Sequence, residues 1–389
     1  MSSYIPPSNF PPSVTSHICS GLSVFISPPP SCTPSSPCGF ILSIHGHSMD
    51  GETQASNDML FEVGPSNGFV VAAPTSPFMS AEGPSWLPIY HRPMLQDLLS
   101  AAAGDPTIDK NRIHVTGFSQ GGFLTWDLLC HASDTICSAA PLCASGRDAW
   151  GTSAGFGSQC FMDSVPGPEV PRSVMFTVGR TDPLSSIELG YDQMESVADA
   201  YFGSEVWDQM QAEHVTETAA YAKSEYGEGG VNLVFYEHFS NCDLYETCGG
   251  HCFPTDSAKE AICSAGAPGY YYWWWGGGRE RLYNHRCCVE GFNYGEEVVK
   301  FFLSNPCGEA GDGGGGGVED GDGGEAEDED TAAPTGASTG SPTGTEEVIL
   351  PGSAAAGRPA TVGVRGRVAA AVIAAAVIAA AGVASEALF

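Results

Sequence analysis

The stretch that most restricts what this chain can fold into is RIHVTGFSQGGFLTWDLLC, Arg112 to Cys130. A β-branched run leads into Gly117-Phe118-Ser119-Gln120-Gly121, and a run with apolar residues at helical spacing (Phe123, Leu124, Leu128, Leu129) leaves it. A strand that reverses directly into a helix forces a strained backbone on the corner residue, and glycines two positions either side let the adjoining segments approach. The corner serine is then presented at a helix N-terminus, where backbone N–H groups face developing negative charge. Alone the pentapeptide says little, because the chain holds 49 glycines. The strand before it and the helix after it give G-x-S-x-G its meaning. Ser119 is the candidate nucleophile.

Strand-like and helical stretches alternate on both sides of this corner. Gly21–Ser27 alternates as a strand, and Phe40–Ile44, Phe69–Ala73, Ile113–Thr116, Ser173–Val178 and Val231–Tyr236 read as further strands. Met94–Ala103, Gly122–Cys130, Glu188–Tyr201 and Glu296–Leu303 read as helices. The alternation predicts an α/β fold, a mostly parallel sheet with helices on both faces and long Cys/Gly-rich loops. Residues 1–18 are Pro/Ser-rich and read as an irregular arm, and 19–307 as one folded, candidate catalytic domain.

All 14 cysteines, all ten histidines and all seven tryptophans precede Gly308. The cysteines are scattered, which favours disulfides in an oxidising compartment, extracellular or at the cell surface, over structural zinc. Cys242, Cys248, His251 and Cys252 lack standard zinc-ligand spacing, so no metal is expected. No basic segment followed by an apolar stretch is visible in MSSYIPPSNFPPSVTSHICSG, and a truncated gene model would reconcile this with secretion. The formal net charge is −31, with thirteen acids and three bases from Gly308 onward, leaving −21 on the body. Such a field repels phosphate backbones and anionic lipid, which argues against a nucleic-acid partner.

Residues 308–360 form an acidic Gly/Thr/Ser/Pro-rich segment too poor in apolar residues to fold, a disordered linker without EF-hand spacing. Residues 361–389 are an Ala-rich hydrophobic tail in which Val368–Ala384 follows Arg365 and Arg367. That run is short for a membrane span, and the preceding arginines would hold the cysteine-rich body on the reducing side. Ser353, Ala354 and Ala355, followed by a spacer, fit a lipid-anchor signal that is cleaved, giving possible membrane anchoring through the C-terminal tail. A spanning helix and an Ala-rich end without a role stay open.

A hydroxyl nucleophile needs a base, and the base an orienting carboxylate, in the order Ser, Asp or Glu, His for a strand-serine-helix fold. Asp182, in GRTDP just past a strand, is the candidate acid. His251, in CGGHCFP, is the preferred base, since two glycines free the backbone to aim its ring and Cys248 and Cys252 could clamp the loop. His238, directly after Val231–Tyr236, is its rival, and His285 reads as structural. The backbone N–H of Gln120 and that of His47, in FILSIHGHSMDG, are the candidate oxyanion donors, with His45 buttressing the loop.

The motif order from about Gly21 to Leu303 resembles the esterase family that includes secreted polyhydroxybutyrate depolymerases and feruloyl and acetylxylan esterases. The resemblance rests on Ile44-His45-Gly46, on GFVVAAP before Trp86, on DPTIDKNRIHVTGFSQGGFLTWDLLCHASDTICSAAPLCAS, on VGRTDPLS and on GGHCFP. It implies an α/β-hydrolase fold and ester hydrolysis by Ser119, Asp182 and His251 without metal or cofactor, in a monomer acting on a polymeric ester. Feruloyl or acetyl esters of cell-wall polysaccharide come first, and polyhydroxyalkanoate is the alternative. A non-catalytic surface binding protein and a peptidase are the readings from other classes. Departures from the family are VGR before the acid, the extra FSNCDLYETC, and YYYWWWGGG at Tyr270–Gly278. Trp86, Trp273 and Trp274 are candidate substrate contacts, as stacking platforms or, in the aromatic run, as loop packing.

Overall fold

The corner at Ser119 sits in the middle of a ten-stranded sheet. The computed structural model describes residues 14–145, 160–161, 167–213, 215–239, 250–256, 258 and 285–308. The chain divides into two units, Met1–Asp312 and Gly313–Phe389, and every described residue lies in the first. The linker beyond Gly308, the tail, Cys242, Cys248 and the aromatic run with Trp273 and Trp274 lie outside the described residues.

In chain order the elements are β1 (Thr15–Cys19), β2 (Leu22–Ser27), β3 (Cys38–Ile44), α1 (Gly51–Asn57), α2 (Leu60–Ser66), β4 (Phe69–Thr75) and α3 (Pro88–Gly104). Then come β5 (Ile108–Phe118), α4 (Gln120–His131), β6 (Ser138–Leu142), β7 (Ser173–Gly179), α5 (Ile187–Phe202) and α6 (Val206–Glu213). The last are β8 (Val215–Glu217), β9 (Tyr221–Glu228), β10 (Val231–His238), β11 (Phe253–Asp256), β12 (Arg286–Val289) and α7 (Tyr294–Ser304). The large sheet has the order β1-β2-β4-β3-β5-β6-β7-β10-β9-β8, and β11 and β12 pair separately. From β4 through β3, β5, β6 and β7 to β10 every pairing is parallel, and only the two margins are antiparallel.

Thr15–Ile18, inside the expected irregular arm, belong to an edge strand that runs on to Cys19. The cause is local: Ser20 and Gly21 take φ of 50° and 80°, a two-residue turn whose twist matches a hairpin, and Thr15 pairs with Ile26. Gly229 and Gly230 do the same between β9 and β10.

Alternate residues of the central strands point to opposite faces. Phe40, Leu42 and Val115 pack with Leu95 of α3, Leu128 of α4, Val197 of α5 and Met210 of α6. Ile41, Phe118 and Met175 pack on the other face with Phe61 of α2, Phe253 of β11 and Phe302 of α7. Burying side chains of this size contributes roughly 1.5–3 kcal/mol each, which is why the parallel strands can be apolar on both faces. Asn293 caps α7 by accepting from the Glu296 N–H at 3.1 Å, and Val298 and Phe302 on that helix are fully buried. Four disulfides, Cys32–Cys38, Cys130–Cys160, Cys137–Cys307 and Cys252–Cys287, join described residues. Among the described residues no helix is long and apolar enough to cross a membrane.

Candidate active site

Ser119 occupies the single residue between β5 and α4, with φ 52° and ψ −116°. Its N–H donates to the Leu142 carbonyl of β6 at 2.9 Å, and its carbonyl accepts from Phe123 at 3.1 Å. The strained corner is therefore held by the sheet on one side and the helix on the other. The flanking glycines are there for space: a Cβ at Gly121 would lie 2.1 Å from the Ile44 carbonyl oxygen, and one at Gly117 would lie 2.4 Å from the Gly121 carbonyl oxygen. Ser119 is partly exposed, whereas the rest of β5 from Ile113 is buried.

Asp182 follows β7 by three residues, and its side chain is fully buried. Its Oδ1 accepts the backbone N–H groups of Leu184 and Ser185 at 2.8 and 2.9 Å. The same carboxylate meets His251, whose Nδ1 lies 2.8 Å from Oδ2 and 3.1 Å from Oδ1. The His251 side chain remains 13% exposed, so its other nitrogen has a route to a bound molecule. The ring of Phe118, the residue before Ser119, packs 4.9 Å from the His251 ring. Serine corner, imidazole and carboxylate thus share one end of the sheet.

Of the two histidines weighed as base, it is His251 that meets Asp182. β10 continues two residues beyond the strand read from the sequence and carries His238 into the sheet, where the side chain has no exposure. Burial pushes its pKa down to about 4. The loop of His251 is anchored by Cys252–Cys287, rather than by the Cys248–Cys252 clamp expected from the sequence. That bridge also removes Cys252 from the four-residue cluster considered for zinc.

His45 ends β3 with no exposure; its Nδ1–H donates to the Gly46 carbonyl at 2.7 Å and its Nε2 accepts from the Ser76 N–H at 3.0 Å. Burial lowers its pKa to about 4, which matches a neutral buttress. Trp86 is corrected from substrate contact to support. It is wholly buried, its ring lies 4.7 Å from that of His45, and its indole N–H donates to the His45 carbonyl at 2.9 Å. An aromatic in a Gly/Pro-rich loop looks exposed in one dimension, but the loop folds back onto β3.

Two groups that sequence reasoning passed over complete the surroundings. Cys143, one residue past β6 with φ 51°, is fully buried and donates its thiol to the Gly250 carbonyl at 3.4 Å. Its sulfur, an Asp182 oxygen and a His251 nitrogen lie within 4.8 Å of one another, a set that could hold a metal only with a thiolate. Burial, followed by the Asp182 charge, pushes that thiol well above the ordinary range, so it suits a neutral hydrogen-bond donor better. The second group is Ser85, treated below. His285 has its backbone N–H on the Asn57 side chain at 2.8 Å and its ring 5.7 Å from Phe118, a packing position beside the site.

A parallel sheet in this strand order, with a serine corner after β5 and an Asp–His pair beyond β7, is the α/β-hydrolase fold. No family model matches the chain. Over 140 residues it is 26% identical to a bifunctional acetylxylan esterase/xylanase of Neocallimastix patriciarum, a match covering 34% of this chain and 19% of that relative. The chain therefore corresponds to about a fifth of that curated relative's length. Among solved structures, an acetyl xylan esterase from Aspergillus awamori aligns with a TM-score of 0.45 at 15% identity, covering 58% of this chain and 92% of that one. A Bacillus cereus carboxylesterase aligns with a TM-score of 0.37 at 13% identity, covering 56% and 85%.

Proposed function

We propose that the protein is a serine carboxylic-ester hydrolase acting through Ser119, His251 and Asp182. The observation that carries this reading is the Asp182–His251 pair packed through Phe118 against the strained corner that presents Ser119. In this reading the Ser119 hydroxyl attacks the ester carbonyl while His251 Nε2 takes its proton. Asp182 fixes the Nδ1–H tautomer and stabilises the imidazolium that forms. The tetrahedral oxyanion is met by the backbone N–H groups of Gln120 and His47. The protonated His251 then gives its proton to the leaving alcohol oxygen, and the acyl group stays on Ser119. Water, activated by the same imidazole, releases the acid and restores the serine.

Acetyl or feruloyl esters on wall polysaccharide are the proposed substrates. The name of the Neocallimastix relative supports the acetyl ester, and a body carrying −21 suits a neutral polymer. The disulfides support an oxidising, extracellular setting. The test is an ester panel (acetyl, butyryl, feruloyl, hydroxybutyrate) with the purified protein, alongside Ser119→Ala and a fluorophosphonate probe. Turnover and labelling should both vanish in Ser119→Ala. Labelling that persists at another residue would overturn the assignment, and preference for hydroxybutyrate would move the substrate to polyhydroxyalkanoate.

A further inference from the structure

The two candidate oxyanion donors are residues whose side chains are joined by one buried hydroxyl. Ser85 Oγ lies 3.1 Å from His47 Nδ1 and 3.1 Å from Gln120 Nε2, with Gln120 Oε1 at 3.2 Å. The donors can be assigned around this hydroxyl. Gln120 Oε1 accepts the Trp86 N–H at 2.7 Å, which orients the amide and leaves Nε2 to donate to Ser85 Oγ. The Ser85 proton then points to His47 Nδ1, and the remaining N–H of His47, on Nε2, donates to Glu82 Oε2 at 2.5 Å. Each group in the chain from Gln120 to Glu82 thus has a donor or acceptor matched to its neighbour.

Ser85 is itself immobilised from its backbone. Its N–H donates to the Phe78 carbonyl at 3.0 Å, its carbonyl accepts from the Ser76 hydroxyl, and the neighbouring Pro84 carbonyl accepts the Ser48 N–H at 2.8 Å. Ser85 and Gln120 are buried, while the side chain of Glu82 is 64% exposed. The 76–86 loop thus reaches the residue after the nucleophile on one side and the residue after Gly46 on the other. Oxyanion donors act by being preorganised, so the group that sets their separation acts on the transition state more than on substrate binding.

We infer that Ser85 is a positioning residue for the oxyanion hole, with Glu82 orienting the His47 end of the same chain. The inference rests on the esterase reading above and adds to it residues that touch neither substrate nor reacting atoms. It is tested with the full-length protein on p-nitrophenyl acetate and with an aryl trifluoromethyl ketone, which forms a tetrahedral oxyanion on the serine. Ser85→Ala should lower kcat about tenfold and weaken the ketone about tenfold, with KM within about twofold, a smaller effect than losing a donor outright. Glu82→Ala should lose about threefold in both, while Glu82→Gln, which keeps an acceptor for His47, should stay near wild type. Wild-type kcat and ketone affinity in Ser85→Ala, with Ser119→Ala inactive, overturns the inference and leaves the esterase reading standing. A loss confined to KM or to melting temperature, with ketone affinity kept, overturns it as well. If Ser85→Ala does not fold, unchanged ketone affinity in the solvent-facing Glu82→Ala overturns it. Full turnover in Ser119→Ala removes the reading and the inference together.

Discussion

Gly179, the last residue of β7, lies against Gly250, the residue before His251, so closely that a Cβ at Gly179 would fall 2.4 Å from the Gly250 Cα. The reverse is also true: a Cβ at Gly250 would fall 2.7 Å from the Gly179 Cα, and Gly250 has φ +97°. This backbone contact joins the acid loop to the histidine loop and so sets the distance between Asp182 and His251. Gly179→Ala should therefore separate the pair. The expected outcome is a fall in kcat/KM of about a hundredfold, the scale of a 1 Å misplacement, with a stability loss of roughly 1–3 kcal/mol. Steady-state kinetics beside thermal melting will show it, and near-wild-type kcat/KM would mean that the contact does not set the geometry.

The two histidines separate by substitution. His251→Ala should lower kcat by about three orders of magnitude or more, as expected for loss of a general base that serves two proton transfers. His238→Ala should change kcat by less than tenfold, since its ring is buried in the sheet, and its effect should fall on stability. The reverse ranking would transfer the base role to His238.

Why Ser119 was legible and Trp86 was not follows from chain distance. The corner at Ser119 is specified by residues within a few positions of it, so strand, glycines and helix appear together in one line of sequence. The burial of Trp86 depends on His45, 41 positions earlier, whose carbonyl accepts the indole N–H. The strand read as ending at Tyr236 runs on through His238, because Glu237 is held in the ladder and its carboxylate is satisfied by Arg180 and by the Tyr191 hydroxyl at 2.9 Å. Ser85 carried no signal at all, being one of many serines in a loop. Gly179 could have been found, as a glycine closing an apolar strand three residues before the candidate acid. The edge strand β1 escaped notice because its Pro-rich approach hides a two-residue turn at Ser20-Gly21.

The disulfides should divide by function. Cys137–Cys307 spans 170 residues and ties the strand β6 approach to the end of the described body. Its removal (Cys137→Ala with Cys307→Ala) should cost roughly 2–5 kcal/mol of stability through the freed unfolded chain and leave kcat unchanged. Cys252–Cys287 holds the residue next to His251. Removing it should lower kcat about tenfold in addition to any stability loss, because the loop then orients the imidazole less well. Denaturant titration and kinetics on both double variants check this. An equal effect of the two pairs on kcat would deny Cys252–Cys287 a part in placing His251.

Acid should destabilise this fold over a defined window. Unfolded histidines take up protons near pH 6.5, whereas burial holds His45, His238 and His285 down to about 4 and His114 to about 3. Between those values the unfolded chain binds more protons than the native one, so stability falls as pH drops from 6.5 toward 4. Each of the first two shifts corresponds to a loss on the order of 3 kcal/mol when complete. Asp58 opposes them. Burial raises its carboxyl from 3.8 to about 6, so the native state protonates first and gains stability as pH falls through 6. Burial raises the Glu52 carboxyl as well, and two carboxyls against four histidines held down by burial leave a net loss. Melting temperature should drop steeply between pH 6.5 and 4.5. His114 is stacked at 4.5 Å on Phe302 and shares a 2.8 Å hydrogen bond with Ser138, away from the candidate site, so it can be replaced without touching the chemistry. His114→Phe should keep the stacking, lose about 1 kcal/mol at pH 7 with the hydrogen bond, and show a shallower fall in melting temperature below pH 6. A slope as steep as wild type would show that His114 is not among the groups that couple acid to unfolding.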